Sequence, residues 1–208
     1  MIPIGIILQG QFLPMSKAEQ TKAYILEKIA PVFNKKGYAG TSLSDLEGAT
    51  GLTRGSIYGN FGSKDEVAVA AFDFNLRKVN SIFKNELAKA TTAVEKLRTY
   101  VRIYENFPKY SFPEGGCPIL NTSTEADDTH PVLRQRAGDA IHSWKKSVSA
   151  IIRSGIEQGE FHKGTDPEQA AITLIAMLEG AVMIGGVTGQ SRYRAAVLRS
   201  LEKIIGSW

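Results

Sequence analysis

"TSLSDLEGATGLTRGSIYGNFGSKDEV", residues 41–67, decides how this chain folds. Ser42 or Ser44 can cap a short helix that Gly51 closes, and Thr53 can cap a second helix directly afterwards. Two helices joined by so tight a turn have the spacing of a helix-turn-helix motif, in which the second helix enters the major groove of DNA. A helical hairpin that only packs against its neighbours has the same turn, so the side chains must decide between the two.

The side chains of the second short helix favour DNA binding. Thr53, Arg54 and Ser56 place hydrogen-bonding groups at its N-terminus. An arginine there can bind guanine O6 and N7 with two hydrogen bonds. The donors suited to phosphate oxygens are Tyr58, Asn60 and Lys64, together with Thr41 before the first short helix.

Gly55 and Gly59 stand inside this second helix, where each costs about 1 kcal/mol relative to alanine. Glycine removes a side chain where the backbone must come close to another group. We interpret both as positions where the backbone comes near DNA. For Gly59, close packing against the preceding long helix is an alternative.

The rest of the chain predicts an all-α fold. Nearly every patterned segment has a period near 3.6 residues, and no segment convincingly alternates with a period of two. One long helix is expected from about Ser16, with a capping box to Glu19, and ends at Gly37; another begins at Ser63 and runs to about Leu87. Further helices are expected at about 92–107, 118–126, 131–158, 167–187 and 192–205.

Composition and charge fit a soluble globular protein that can bind an anionic partner. The 208 residues are 43% hydrophobic and 22% charged, and 25 basic against 21 acidic residues give a net charge of +4. Between residues 16 and 64, seven basic and four acidic residues leave a balance of +3. This excess gives modest electrostatic attraction to DNA, and a dimer doubles it.

Several other classes of protein are disfavoured. The single cysteine, Cys117, rules out an internal disulfide framework and fits a reducing cytosol. His130, His142 and His162 lack the spacing of metal ligands. The chain also lacks a phosphate-binding glycine loop and a nucleophile-base pattern, so we expect no catalytic residues, no metal and no cofactor.

Two apolar segments could be mistaken for export or membrane signals. Residues 1–14 have no basic residue before the apolar run and no small-residue cleavage site, so we interpret them as an N-terminal extension. Residues 170–187 have Glu179 near the middle and follow "TDPEQ", which is typical of the start of a soluble helix. We therefore expect burial between protein surfaces, no membrane span and a cytoplasmic location.

The stretch at residues 41–67 resembles the DNA-binding signature of TetR/AcrR-type transcriptional regulators. "TSLSDL" matches the first short helix of that signature, "GLTRGSIY" the recognition helix, and "FGSKDE" the start of the next helix. The residues that the resemblance implies for phosphate contact are Thr41, Tyr58 and Lys64. Those that it implies for base contact are Thr53, Arg54, Ser56 and Asn60.

Two pairs of residues depart from the family's pattern. Glu47 and Gly48 stand where many relatives have helix-favouring residues, so we expect a weak first short helix. Gly59 and Asn60 replace the bulkier pair often found after the tyrosine. For this reason the helix does not predict an operator sequence.

The resemblance also implies how the chain is organised. An extension (1–15) precedes a DNA-binding domain (16–62) and a larger helical domain (63–208) that binds an effector and dimerises through its last two helices. The implied function is a ligand-responsive regulator, a repressor that binds a palindromic double-stranded DNA operator as a homodimer. A small-molecule or reactive effector releases it. The alternative is a helical ligand-binding or scaffolding protein that has lost DNA binding.

Features of the larger domain agree with this organisation. Small residues recur on the penultimate helix, where they allow close helix crossing; the alternative is that this helix is only the core of the monomer. These small residues are Ala176, Gly180, Ala181 and Gly185. Aromatic residues are candidates to line the effector pocket, although such residues also form ordinary core. They are Tyr104, Phe107, Tyr110, Phe112 and Trp144.

Cys117, in "PEGGCPILN", is a candidate thiol sensor. We expect it at the N-terminus of a short helix, where free backbone amides favour the thiolate and lower the pKa of the thiol. Such a thiol can react with electrophiles or oxidants. The alternative is a small apolar residue that fills the start of the helix.

Overall fold

The computed structural model describes residues 5–8, 11–14 and 16–208, and of the first two segments only the backbone. Within residues 16–208 it contains nine α-helices and one short 3₁₀ helix, which confirms the predicted all-α fold. Before them, β1 (Gly5–Leu8) and β2 (Gln11–Pro14) pair as an antiparallel hairpin. The sequence pattern did not indicate this hairpin.

The helices follow one another with short connections. Their bounds are α1 Lys17–Gly40, α2 Leu43–Thr50, α3 Arg54–Phe61, α4 Lys64–Leu87, α5 Ala93–Glu105, α6 Pro118–Ala126, α7 Pro131–Glu157, α8 Pro167–Thr188 and α9 Ser191–Ile205. The 3₁₀ helix, Phe107–Tyr110, lies between α5 and α6.

The predicted caps begin the first helices and Gly51 ends α2 as predicted, but Gly37 does not end α1, which continues to Gly40. Ser16 Oγ accepts the Glu19 N–H at 3.2 Å, and the Glu19 carboxylate accepts the Ser16 N–H at 2.8 Å, which is the expected capping box. Gly37 interrupts the helical backbone inside α1 with φ 71°, and Gly51 closes α2 with φ 69°. Only glycine adopts this left-handed backbone without strain.

The chain divides into two compact units, Met1–Asn75 and Leu76–Trp208, and the division falls inside α4. In the first unit α1 packs against both α2 and α3. Side chains with no exposed surface in its core include Ile25, Ile29, Leu46 and Ile57. The first part of α4 is fixed to α1 by the buried Asn75, whose Nδ2 donates to the Ala30 carbonyl at 2.9 Å.

In the second unit α7 packs against α6 and α8, and α9 packs against α5 and α8. The N-terminus of α5 is capped from a distance, since the Glu160 carboxylate accepts the N–H groups of Ala93 and Val94 at 3.1 and 3.0 Å. The chain terminus is held as well, because the Thr165 hydroxyl donates to the Trp208 carbonyl at 2.8 Å. The bonds to Glu160 satisfy N–H groups that a helix start leaves unpaired.

Among the described residues, α8 is the one helix that is long and apolar enough to cross a membrane by length and composition alone, with a mean hydropathy of 2.0. It packs against α7 and α9 and buries Leu174, Leu178 and Ala181. A core helix of a soluble protein has the same length and composition. The contacts with α7 and α9 therefore account for one side of its apolar surface.

Gly155 in α7 marks a close approach to α5 and to the loop after α7. A Cβ there would overlap the ring of Phe161 and lie 2.8 Å from the Cβ of Ala93. We expect Gly155→Ala to lower the free energy of unfolding by about 1–3 kcal/mol because the core is overpacked, as measured by urea denaturation.

Gly138→Ala, on the same helix, is the matched control. A Cβ at Gly138 meets nothing within 4 Å, and alanine favours the helix by up to about 1 kcal/mol, so its stability should stay the same or rise. Equal losses in the two variants would contradict the close approach at Gly155.

Candidate nucleic-acid interface and effector site

The first turn of α3 presents the residues predicted to contact bases. Thr53 and Arg54 are exposed and Ser56 is half-buried. Thr53 caps the helix, because its Oγ1 accepts the Ser56 N–H at 3.4 Å. Further along the helix, Ile57 and Phe61 are only 0% and 3% exposed. One side of α3 is thus anchored in the core while its N-terminus stays open.

Two side chains that sequence analysis missed fix the turn before α3. The Tyr24 hydroxyl donates to the Thr50 carbonyl at 3.0 Å, at the end of α2. The Glu47 carboxylate accepts the Arg54 N–H at 2.8 Å, at the start of α3. Both backbone groups lie in the terminal turns of helices, where intrahelical partners are missing. The α2–α3 joint is therefore held by side chains from α1 and α2.

The α2 helix, expected to be weak, is held at both ends. At its start Ser42 and Asp45 form a capping box, and the Lys36 ammonium lies 2.6 Å from the Asp45 carboxylate. The hydrogen bonds from Lys36 and Ser42 lower the pKa of Asp45 to about 2. Near its end, the Glu47 carboxylate accepts the Arg54 N–H of α3. Glu47, one of the two residues that depart from the family's pattern, therefore has a structural role.

The two glycines of α3 face open space. Gly55 and Gly59 are exposed, and a Cβ built at either position meets nothing within 4 Å. Packing against α1 does not require Gly59, so that alternative is wrong. Both positions leave the helix backbone accessible to a large partner.

Tyr58 lies in α3 and Lys64 begins α4, and a third residue, Tyr38, supports Lys64. Lys64 Nζ is 4.5 Å from the centroid of the Tyr38 ring, which attracts the cation. The Tyr38 hydroxyl donates to the Asp65 carboxylate; this bond, together with partial burial, raises the pKa of Tyr38 to about 12. The Arg54 guanidinium lies 5.8 Å from the centroid of the Tyr58 ring.

Two predicted DNA-contacting residues have partners inside the protein. Asn60 is half-buried, and its Nδ2 donates to the Ser56 carbonyl at 2.8 Å. Thr41 has no exposed surface, and its hydroxyl donates to the Gly37 carbonyl at 2.6 Å. The prediction that Thr41 contacts a phosphate is wrong, because its hydroxyl is buried and donates to a carbonyl of the same chain.

Four of the five candidate pocket residues come together in the second unit. The Tyr104 ring centroid lies 5.1 Å from that of Phe107, 6.1 Å from that of Phe112 and 5.9 Å from that of Trp144. Within residues 16–208, Tyr110 makes no such ring contact. Tyr104 is 1% exposed, so these rings pack on one another. We call this group the aromatic cluster.

Phe83 and Tyr100 also belong to the aromatic cluster, although the sequence pattern did not indicate it. The two rings stack with centroids 4.7 Å apart, and Tyr100 lies 6.2 Å from Trp144. Burial raises the pKa of Tyr100 to about 12. The only signal for Phe83 was its place in the apolar stripe of α4, which indicates burial but not the neighbouring ring.

Cys117 is the N-cap residue of α6 and is 1% exposed. Its Sγ lies 3.7 Å from the Tyr104 hydroxyl. Burial, and then the neighbouring Glu179 carboxyl, raise the pKa of the thiol well above its ordinary value. The predicted lowering of this pKa is wrong, because burial and the acidic neighbour outweigh the backbone amides at the helix end. The small buried residue of the alternative fits this position.

Family models of known proteins match a segment in each of the two compact units. The model of "Bacterial regulatory proteins, tetR family" matches residues 25–71, and that of the "Tetracyclin repressor-like, C-terminal domain" matches residues 93–201, more than half of the chain. The chain belongs to the TetR family. The matched N-terminal segment contains the whole of α2 and α3, including the bond between Glu47 and Arg54.

The matches to other TetR-family regulators extend over most of this chain. A structure from Cytophaga hutchinsonii is 48% identical with a TM-score of 0.89, and the match covers 93% of this chain and 96% of that one. One from Chloroflexus aurantiacus is 35% identical with a TM-score of 0.86, covering 92% and 96%. The transcriptional repressor DhaR of Mycobacterium sp. is 27% identical over 167 residues, covering 78% of this chain and 80% of the repressor.

TetR-family membership decides between the two predicted functions. The protein is a ligand-responsive, DNA-binding transcriptional regulator. Nothing in the comparisons favours a helical protein that has lost DNA binding. The proteins it matches are transcriptional regulators, a class that is generally not enzymatic.

Glu47→Ala tests whether the α2–α3 joint depends on the bond to Arg54. The variant leaves the Arg54 N–H without its carboxylate partner, so we expect a loss of about 1–2 kcal/mol in the free energy of unfolding and weaker DNA binding. Chemical denaturation and fluorescence anisotropy measure the two effects. Glu27→Ala, an exposed site on α1 whose ion pair with Lys28 is on the surface, should change stability by less than about 0.5 kcal/mol. A Glu47→Ala variant as stable as this control would refute the role of the bond.

Proposed function

We propose that this TetR-family protein is a repressor that binds a palindromic operator as a homodimer. It leaves the operator when a small-molecule effector binds the larger helical domain. The observation that supports DNA reading most directly is the exposed N-terminus of α3, a helix that Ile57 and Phe61 anchor in the core. The relative DhaR is a transcriptional repressor, which supports repression as the sign of regulation. A regulator of this kind acts on cytoplasmic DNA.

The residues of α3 divide between two tasks in this proposal. Thr53, Arg54 and Ser56 contact base edges, with Arg54 suited to guanine. Tyr58 and Lys64 contact phosphates and set the position of the helix on the duplex. The exposure of the first turn and the support of Lys64 by Tyr38 favour this division.

An apolar stripe on α8 supports the homodimer. Its members recur every three or four residues and therefore lie on one face of the helix; they are Ile172, Ala176, Gly180, Met183 and Val187. Ile172 is 46% exposed, Met183 49% and Val187 85%, although large apolar side chains are usually buried. A Cβ at Gly180 meets nothing within 4 Å, which leaves room for a second helix.

The other pair of small residues on α8 serves the monomer. Ala181 has no exposed surface, and a Cβ at Gly185 would lie 2.9 Å from the Cβ of Arg194 on α9. This pair lets α9 approach α8 within one chain. With both helices packed together, the exposed stripe and Tyr193 on α9, which is 42% exposed, are available to a second copy.

The effector acts, in this proposal, by favouring a conformation that cannot bind the operator. A ligand shifts such an equilibrium only by the difference between its affinities for the two states. The α4 helix passes from one compact unit into the other and transmits the difference. Asn75 bonds to Ala30 in the first unit, and Phe83 stacks on Tyr100 in the second.

Arg54→Ala and Lys64→Ala separate base reading from phosphate binding. Arg54→Ala should cost about 1–3 kcal/mol on the operator and relax base preference at one position, because a bidentate contact is lost. Lys64→Ala should weaken all sequences alike and reduce the salt slope of log K by about 1. Operators are first selected from genomic fragments, and anisotropy titrations over a range of salt measure both effects. Uniform loss in both variants would contradict the division of tasks.

Met183→Glu tests the dimer interface on α8. A charge in the centre of the apolar stripe should dissociate the homodimer, which analytical ultracentrifugation detects as a fall in mass at micromolar concentration. Operator affinity should fall with it, since two half-sites are no longer read together.

Val132→Glu is the control, because Val132 is an apolar residue of α7 that is 54% exposed. That variant should remain dimeric. If Met183→Glu also stays dimeric, α8 is not the interface.

A further inference from the structure

Glu179, in the middle of α8, has a carboxyl group buried beside the aromatic cluster. Its Oε1 accepts a hydrogen bond from the Tyr104 hydroxyl at 2.7 Å. Its Oε2 is buried and has no hydrogen-bond partner. In residues 16–208 Glu179 forms no ion pair. A buried polar atom left in this state is rare in proteins and calls for an explanation.

The interior around Glu179 does not compensate a negative charge. Burial raises the pKa of its carboxyl group, although Cys117 and Tyr104 provide hydrogen bonds that oppose the rise. Neither the Tyr104 hydroxyl nor the Cys117 thiol carries a positive charge. The group that would best satisfy Oε2 and balance the carboxylate is therefore a cation from outside the chain.

The aromatic cluster supplies a second feature of a cation site. The Tyr104 ring, whose hydroxyl bonds to Glu179, has neighbouring rings on several sides. These are Phe83, Phe107, Phe112 and Trp144, with centroids between 5.1 and 6.3 Å away. Aromatic faces attract organic cations, and aromatic edges and faces also bury their apolar parts.

We propose that Glu179 is the recognition group for an organic cation, an amine joined to an aromatic or alkyl body. The ammonium group binds Oε2, and the apolar body lies among the rings of the aromatic cluster. This inference rests on the proposed function, because it names the chemical class of the effector that binds the larger helical domain.

Other effector classes fit the group less well. An anionic effector would bring a second negative charge to a buried carboxyl group, which is strongly unfavourable in the interior. A neutral effector can accept or donate one hydrogen bond but cannot balance the carboxylate. An ammonium group does both, and a charge-assisted hydrogen bond is about twice as strong as a neutral one.

Access to the site involves the irregular segment between α5 and α6. Phe107 in the 3₁₀ helix and Phe112 after it stack with their centroids 4.1 Å apart, and both lie against Tyr104. Segments outside regular helices open at lower free energy than packed helices. Displacement of these two rings admits the apolar body of the ligand.

Three probes of similar size test the inference on the full-length protein. They are 2-phenylethylammonium, 2-phenylethanol and 3-phenylpropionate, which share a ring and differ in charge. Titration calorimetry and ligand-observed NMR at neutral pH should show the ammonium binding at least about tenfold more tightly than the alcohol, with the carboxylate weaker still. Binding of none of the three, or equal binding of the alcohol or the carboxylate, overturns the inference.

Glu179→Gln assigns the preference to this residue. The amide keeps the shape of the side chain and removes the charge, so the preference for ammonium over alcohol should fall to about twofold or less. Glu157→Gln, an exposed site on α7, should keep the wild-type preference. A Glu179→Gln variant that keeps it overturns the inference, and thermal melting checks that the variant is folded. The wild-type selectivity tests the inference even if the variant does not fold.

Operator binding by the same wild-type protein distinguishes failure of this inference from failure of the proposed function. If the protein binds its selected operator but shows no preference for the ammonium probe, the inference fails and the proposed function stands. If it binds no DNA, the proposed function fails, and the probe selectivity shows independently whether the cation site exists.

Discussion

The backbone groups at the junction of α2 and α3 are the constraint on which DNA reading depends. Helix ends leave N–H and carbonyl groups unpaired, and here the second end must also stay open to a partner. Tyr24 and Glu47 meet both requirements, because Tyr24 bonds to the Thr50 carbonyl and Glu47 to the Arg54 N–H. An isolated helix shorter than about 12 residues is marginal in water, so α3 depends on this joint and on its buried face for its rigidity.

Two carboxyl groups of the second unit are used in opposite ways. Both oxygens of Glu160 accept backbone N–H groups at the start of α5, so its charge is fully used in holding the fold. Glu179 has one oxygen bonded to Tyr104 and the other without a partner. The first arrangement stabilises a single structure. The second leaves recognition capacity that the chain itself does not use.

Local patterns predicted the features that depend on neighbouring residues, and failed where distant segments meet. The cap at Thr53 followed from its position before a helix and was confirmed, since such caps involve bonds over three residues. The Tyr24 bond spans 26 residues and depends on how α1 crosses α2, which no local pattern specifies. The predicted phosphate contact of Thr41 and the predicted low pKa of the Cys117 thiol failed for the same reason. Both predictions assumed an exposed side chain, and tertiary packing buries both residues.

The proposed transmission through α4 requires only a small structural change. Asn75 and Phe83, which contact different units, are separated by about two turns of helix, or about 12 Å. Allosteric coupling between sites is typically about 1–3 kcal/mol, and a neutral hydrogen bond contributes about 1 kcal/mol. An effector that alters one or two contacts of this size changes operator affinity about tenfold. In the proposed mechanism the cores of both units stay intact, and contacts of α4 such as those of Asn75 and Phe83 set the strength of regulation.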